Sequence, residues 1–175
     1  MNLTLIRHTS VAVESGICYG QSDVDVSPTF EAEAQIVLSK LQELTFDAVY
    51  CSPLMRCRKL ASYCGYPKPI IDDRLMELNF GDWEMKAWKE IQDPRLQLWF
   101  NNWYEESPTQ GESFKIMTNR VENFLNEIKN HPYQQVIIFT HAGVIRSAGI
   151  INKQFSATEA FEYKVEYGEC HTFIL

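Results

Sequence analysis

The sequence predicts a single α/β domain of layered type, and three observations carry that prediction. Short apolar runs alternate with amphipathic segments from the first residues onward. The run Val136 to Thr140 is continuously apolar up to its closing threonine, as a strand covered on both faces should be. A chain of 175 residues has room for one core of ordinary size and little more. No repeat, low-complexity tract or interdomain linker interrupts the alternation, so residues 1–175 are read as one domain.

The elements follow in order. Leu3 to Ile6 is a short apolar strand that ends abruptly in Arg7-His8-Thr9. A loop punctuated by Gly16, Gly20 and Asp23-Val24-Asp25 leads to Ser27-Pro28, a capping residue with proline at the first helical position. Phe30, Ala34, Val37, Leu41 and Leu44 recur in steps of four and three, which predicts an amphipathic helix. Ala48 to Cys51 reads as the next strand. Ser52-Pro53 repeats the cap signal for a second helix, anchored by Leu54, Leu60 and Ala61 and stopping near Gly65. Ile70-Ile71 is a minimal strand. Glu112 to Lys129 reads as a helix, with Phe114, Met117, Val121, Phe124, Leu125 and Ile128 on one face. Gly143 to Ile151 forms another helix, and Phe161 to Tyr167 with His171 to Leu175 are expected as a closing pair of strands.

Composition removes several function classes. The chain is 45% hydrophobic and 22% charged, which excludes a disordered or collagenous protein. A net charge of −7 argues against a protein that coats nucleic acid or an anionic membrane. Five cysteines, scattered and without C-x-x-C spacing, read as free buried thiols rather than a disulfide frame or zinc knuckle. No run approaches a membrane span, and the N-terminal apolar stretch is too short for a signal core. The expectation is a cytoplasmic enzyme acting on a small molecule, with the oligomeric state left open.

In layered α/β folds, sites lie beyond the carboxyl ends of the strands. Arg7 and His8 follow the first predicted strand, and Ser52-Pro53 with Arg56 follows the second. His141 follows the long apolar strand and precedes Ala142-Gly143. Histidines and arginines therefore converge on one sheet edge, provided those strands are neighbours. Helix starts there add N–H donors for an anion. His131 and His171 lack such company and read as structural or surface residues.

The motifs Leu5-Ile6-Arg7-His8, Ser52-Pro53-Leu54-Met55-Arg56, Leu75 to Glu84, Gln110-Gly111-Glu112-Ser113 and Thr140-His141-Ala142-Gly143-Val144-Ile145-Arg146 occur in one order along the chain. In that order they resemble the histidine phosphatase superfamily, in its phosphoglycerate mutase-like branch. The resemblance implies a three-layer α/β/α sandwich with a mostly parallel central sheet. It also implies a phosphomonoesterase without metal or cofactor. By that resemblance His8 is the nucleophile and Glu77 the general acid and base, while Arg7, Arg56 and His141 hold the phosphate. His141 is expected to be cationic beside a phosphate. The segment Gly16 to Val24 is most similar to α-ribazole-phosphate phosphatases within the group, which makes Tyr19, Gly20 and Gln21 candidate substrate contacts.

Three positions depart from the group's pattern: Thr9, Met85 and Ala142 each stand where glycine is usual. None removes a charged group. The carboxylate pairs Asp23/Asp25 and Asp72-Asp73 have no histidine at ligand spacing and read as solvated turns rather than metal sites. All four tryptophans lie between Trp83 and Trp103. Leu96, Trp99, Phe100 and Trp103 fit one helix face, so the segment from about 84 to 111 reads as an aromatic lid. The alternatives are a broad sugar-phosphate phosphatase, a phosphoglycerate mutase, a protein phosphohistidine phosphatase, or an inactive phosphate-binding relative.

Overall fold

A computed structural model describes residues 1–175. Its centre is a sheet of five strands: β1 (Asn2–Arg7), β2 (Ala48–Cys51), β3 (Ile70–Ile71), β4 (Gln135–Thr140) and β5 (Cys170–Ile174). Their spatial order is β3-β2-β4-β1-β5. The first four run parallel, and only β5, on the edge beside β1, is antiparallel. β4 sits between β1 and β2, with Arg7 in register with Thr140 and Cys51 with Phe139. Every residue of β4 after Gln135 is buried, as its unbroken apolar run requires.

Alternation along the strands divides the core into two layers. Leu3 and Leu5 of β1, with Val136 and Ile138 of β4, face one side. There they meet Phe114, Val121, Phe124 and Leu125 of α4 (Phe114–Ile128) and Val144, Ile145 and Ala148 of α5 (Ala142–Ile151). Ile6, Ile137 and Phe139 face the other side. They pack on Ala34, Val37 and Leu41 of α1 (Phe30–Leu41) and on Cys57, Leu60 and Ala61 of α2 (Met55–Tyr63). Each large side chain buried this way contributes about 1.5–3 kcal/mol. The result is one α/β/α sandwich, and no helix is long and apolar enough to cross a membrane. All five cysteines are free, and burial pushes the thiols of Cys18, Cys51 and Cys64 up to about 12.

Four expectations need correction. Phe161 to Tyr167 is not a strand, although Phe, Tyr and Val are strand-prone residues. Two carbonyls that a ladder would use are taken by arginine side chains: Arg146 donates to Tyr163 and Arg7 to Val165. The first helix begins at Phe30, after Thr29 rather than Ser27, and ends at Leu41, short of Leu44. The second helix is capped at Leu54 without a side-chain cap bond; the Ser52 hydroxyl lies 2.8 Å from His141 Nε2 and accepts from the Leu54 N–H at 3.4 Å. The short helix α3 (Arg95–Asn101) stops before Trp103, and Phe100 points outward at 55% exposure. Trp83, Trp88 and Trp99 instead form a cluster of ring contacts with Phe80, with centroids 5.6 to 6.3 Å apart.

Candidate active site

The strand order brings the ends of β1, β4 and β2 side by side, and the polar residues after them meet. His8 is buried, and its Nδ1–H donates to the Thr9 carbonyl at 2.7 Å. That bond fixes the tautomer and leaves Nε2 with its lone pair. Burial pushes the imidazole well below its ordinary range, and the charges of Arg56 and Arg7 push it the same way. His8 is therefore neutral at physiological pH, as a nitrogen nucleophile must be.

His141 is the residue that caps α5, with its ring centroid 5.1 Å from that of His8. Its Nε2 lies 2.8 Å from the Ser52 hydroxyl and 3.4 Å from the Cys57 sulfur. Burial lowers its pKa well below the ordinary value, and Arg56 and His8 add to that. With protein groups alone around it, His141 is neutral rather than cationic. A phosphate dianion beside it would act in the opposite direction and favour the imidazolium.

The two arginines carry their charge without a carboxylate partner. Arg56 is fully buried. It donates to the Ser22 carbonyl at 2.9 Å and the Gly20 carbonyl at 2.6 Å. Arg7 donates to the Val165 carbonyl at 2.6 Å. In both side chains Nε is buried with no acceptor. Part of each donor fork is thus committed to the scaffold, and Nε remains for an anion. Unmatched buried N–H groups are costly, so the two free Nε donors make this a candidate oxyanion site.

Glu77 enters from the segment after a 3-10 turn at Asp73–Leu75. Its Oε1 accepts from the Leu78 N–H at 2.9 Å and its Oε2 from the Gly143 N–H at 3.3 Å. A Cβ on Gly143 would fall 2.2 Å from that carboxylate, so any larger residue there would push Glu77 out of this position. Arg120 clasps the same segment, donating to the carbonyls of Arg74, Met76 and Glu77. Glu112 pairs with Arg120 at 2.6 Å and accepts from the Asn79 N–H.

The loop carrying Gly20 and Ser22 is held by Glu84. Its carboxylate accepts from the N–H groups of Gly20, Gln21, Ser22 and Phe80 and from the Ser22 hydroxyl. Burial opposes its ionisation, but these bonds outweigh that and lower its pKa. Gly20 packs so closely that a Cβ would meet the Leu78 carbonyl at 1.8 Å. Glu84 therefore fixes the carbonyls that orient Arg56.

These groups open on a cleft of about 250 Å³. Arg7, His8, Glu77, Gly143 and Arg146 form its polar part, and Ile17, Tyr19, Phe80, Trp88, Phe114 and Phe161 its apolar walls. Arg56 and His141 are fully buried and do not line it, the His141 ring lying 5.1 Å from that of His8. Of the candidate substrate contacts, Tyr19 reaches the wall. Gly20 is buried against the scaffold, and the Gln21 amide donates to the Glu77 carbonyl at 3.1 Å. A larger groove of about 460 Å³ between α2 and β3 is lined by Arg58, Lys59 and Lys68 but by no histidine or carboxylate. The acidic pairs read as turns are engaged by cations: Asp25 with Lys59 and Asp72 with Arg74. His131 stacks on Tyr133 at the surface, and His171 accepts from or donates to the Tyr163 hydroxyl at 2.9 Å. Sequence reasoning missed Arg146, Tyr167, Arg120 and the anchoring role of Glu84. Only Glu84 and Arg146 lay within recognisable motifs.

Known proteins share this arrangement of chain. The Adenosylcobalamin/alpha-ribazole phosphatase of Escherichia coli (strain K12) is 31% identical over 154 residues, covering 83% of this chain and 75% of that protein. Phosphoserine phosphatase 1 of Hydrogenobacter thermophilus is 29% identical over 156 residues, covering 84% of this chain and 74% of that protein. The crystal structure of the alpha-ribazole phosphatase from Shigella flexneri superposes with a TM-score of 0.90 at 28% identity, covering 98% of this chain and 89% of that one. The sequence pattern of the histidine phosphatase superfamily (branch 1) matches residues 3–172. The chain belongs to that superfamily and is a phosphatase.

Proposed function

We propose that this phosphatase hydrolyses α-ribazole 5′-phosphate through a phosphohistidine on His8. The observation that carries the chemistry is the pair of buried, acceptorless Nε donors of Arg7 and Arg56 beside a neutral His8. The phosphoryl oxygens receive those donors, with His141 and the start of α5 behind them. The His8 Nε2 lone pair attacks phosphorus while the P–O bond to the alkoxide breaks, and protonated Glu77 gives that alkoxide its proton. Glu77, now ionised, takes a proton from water as the water oxygen attacks the phosphohistidine. Phosphate leaves and His8 returns to its starting state. Arg7, Arg56 and His141 supply the positive charge that a metal would otherwise bring, so no divalent ion is required.

The substrate assignment is supported by the relatives named for α-ribazole phosphate and by the flat walls that Tyr19 and Trp88 offer a benzimidazole. The segment from 84 to 111 serves as the lid on that side. Free, buried thiols support a cytoplasmic setting. A second reading rests on Arg146, which reaches the cleft with no carboxylate partner and would suit a carboxylate on phosphoserine.

The test is kcat/KM for α-ribazole 5′-phosphate, O-phosphoserine, 3-phosphoglycerate and ribose 5-phosphate, each with and without excess EDTA. We expect α-ribazole 5′-phosphate to lead by about 10- to 200-fold, the range of one good pocket contact. Activity should survive the chelator. A tenfold lead for phosphoserine or 3-phosphoglycerate sinks the substrate assignment, and activity lost to EDTA and restored by magnesium sinks the mechanism.

A further inference from the structure

The stretch Val165–Gly168 has no part in the chemistry above, yet it touches the phosphoryl pocket repeatedly. The Val165 carbonyl accepts from Arg7 Nη1 at 2.6 Å. The Tyr167 ring lies against the Arg7 guanidinium, with 3.7 Å from its central carbon to the ring centroid. The Gly168 N–H donates to the carbonyls of both Arg7 and His8 at 3.2 Å. Tyr167 is also a neighbour of the nucleophile, its centroid 5.6 Å from that of His8. Its hydroxyl meets the Tyr19 hydroxyl at 2.8 Å, and the Tyr19 ring in turn lies 5.6 Å from the centre of the Arg56 guanidinium. Two phenols thus run from one arginine to the other.

We infer that Tyr167 is a positioning residue for Arg7, its ring setting the plane of the guanidinium and its hydroxyl contact with Tyr19 holding the ring in place. An arginine without a carboxylate partner has nothing else of charge to fix its rotamer, and Arg7 has only one carbonyl. A π-face at 3.7 Å restrains it while leaving its charge and its free Nε for the phosphoryl group. The Tyr19 contact adds a side-chain tie between the loop after β1 and the segment before β5, which are otherwise joined by the Gly168–His8 backbone bond.

This inference rests on the reading of Arg7 as a phosphate ligand, and the experiment separates the two. Vanadate affinity and turnover are measured for the full chain and for Arg7→Ala, Tyr167→Phe, Tyr167→Leu, Tyr167→Ala and Tyr19→Phe. Tyr167→Leu fills the volume without a π-face, which guards against a variant that fails to fold. We expect Tyr167→Leu and Tyr167→Ala to weaken vanadate binding by roughly 10-fold. The same loss should appear in kcat/KM for p-nitrophenyl phosphate and for an alkyl phosphate, since Arg7 acts on the phosphoryl group and not on the leaving group. Tyr167→Phe keeps the ring and should stay within about 3-fold of wild type. Tyr19→Phe should match it, and a Tyr19→Phe/Tyr167→Phe double variant, measured alongside, should lose no more, because each removes the one shared hydrogen bond. If Arg7→Ala loses affinity while Tyr167→Leu does not, the positioning role is wrong. If Arg7→Ala keeps full affinity, the phosphate-site reading itself fails. A Tyr167→Phe variant as impaired as Tyr167→Leu would move the role from the ring to the hydroxyl and overturn the inference.

Discussion

The two sides of the cleft are built by different means. The phosphoryl side hangs on strand ends: His8 follows β1, His141 follows β4, and Arg56 follows β2 by one turn. Its parts are polar, buried or half-buried, and fixed by hydrogen bonds of 2.6 to 2.9 Å. The leaving-group side is made of 3-10 turns, the short α3 and aromatic rings. Few hydrogen bonds reach into it from the sheet, and ring contacts such as Trp88 on Trp99 hold it together. A sheet edge places charged groups with little tolerance, which phosphoryl transfer needs. A cluster of rings can exchange one side chain for another at modest cost. On the proposed mechanism, reaction class is therefore written on one side of the cleft and substrate choice on the other.

The sharpest break of that comparison is at His8, the proposed nucleophile. His8→Ala should reduce turnover by at least about 10³-fold on every substrate, while vanadate still binds. Steady-state rates beside vanadate titration decide it, and retained turnover would mean that another group attacks phosphorus. Glu77 stands where the two sides meet, and its effect should depend on the substrate. Glu77→Gln should slow phosphoryl transfer from an alkyl phosphate by about 10²- to 10⁴-fold. Transfer from p-nitrophenyl phosphate should change far less, because p-nitrophenolate leaves without a proton. Burst kinetics isolates that step, and equal slowing of both substrates would remove Glu77 from the role of acid.

The same contrast governs what could be read from the sequence. Arg7, His8, Arg56 and His141 were legible because strand ends in a parallel sheet share one edge, and the strands were visible as apolar runs. Glu77 was legible only through its motif, since a carboxylate in a turn has no periodicity. Tyr167 and Arg120 were not legible at all. Tyr167 acts on a residue 160 positions earlier in the sequence, through a ring face. Arg120 lies off the apolar face of its helix, and its partners are backbone carbonyls from Arg74 to Glu77. The Phe161–Tyr167 stretch misled because strand propensity reports side-chain shape. It does not report that arginines would claim the carbonyls.

Buried neutral histidines leave a signature in stability. Burial and Arg56 hold both His8 and His141 well below the ordinary value of 6.5, so the unfolded chain binds protons in weak acid that the native state does not. Stability should be fully present above about pH 6.5 and fall as the pH drops below it, by up to about 1.4 kcal/mol per pH unit for each histidine. His171, also lowered by burial, adds a smaller part. Urea unfolding at pH 7.0, 6.0 and 5.0 measures the slope, and His8→Asn with His141→Asn should flatten most of it. An unchanged slope in the double variant would place the acid sensitivity outside the phosphoryl side.

The smallest effect is expected on the other side, at Met85. Its φ of 63° puts it in the left-handed region, where a side chain costs roughly 1 kcal/mol and glycine costs far less. The conformation is imposed by its neighbours: the Met85 N–H donates to the Cys18 carbonyl at 2.7 Å, and the Lys86 carbonyl accepts from the Cys18 N–H at 2.8 Å. This tie holds the lid segment to the loop that carries Tyr19. The Met85 side chain is 50% exposed, so little packing offsets the strain. Ala142 differs from it, being the first residue of α5 with ordinary helical backbone, where alanine suits the helix better than glycine. Met85→Gly should therefore stabilise the protein by about 0.5 kcal/mol, the relief of strain less the extra entropy of an unfolded glycine. Thermal unfolding should register a rise of roughly 1–2 °C. The variant should leave p-nitrophenyl phosphate turnover unchanged, since no group on the phosphoryl side moves. A drop in Tm would show that the methionine side chain packs in a way its exposure does not suggest.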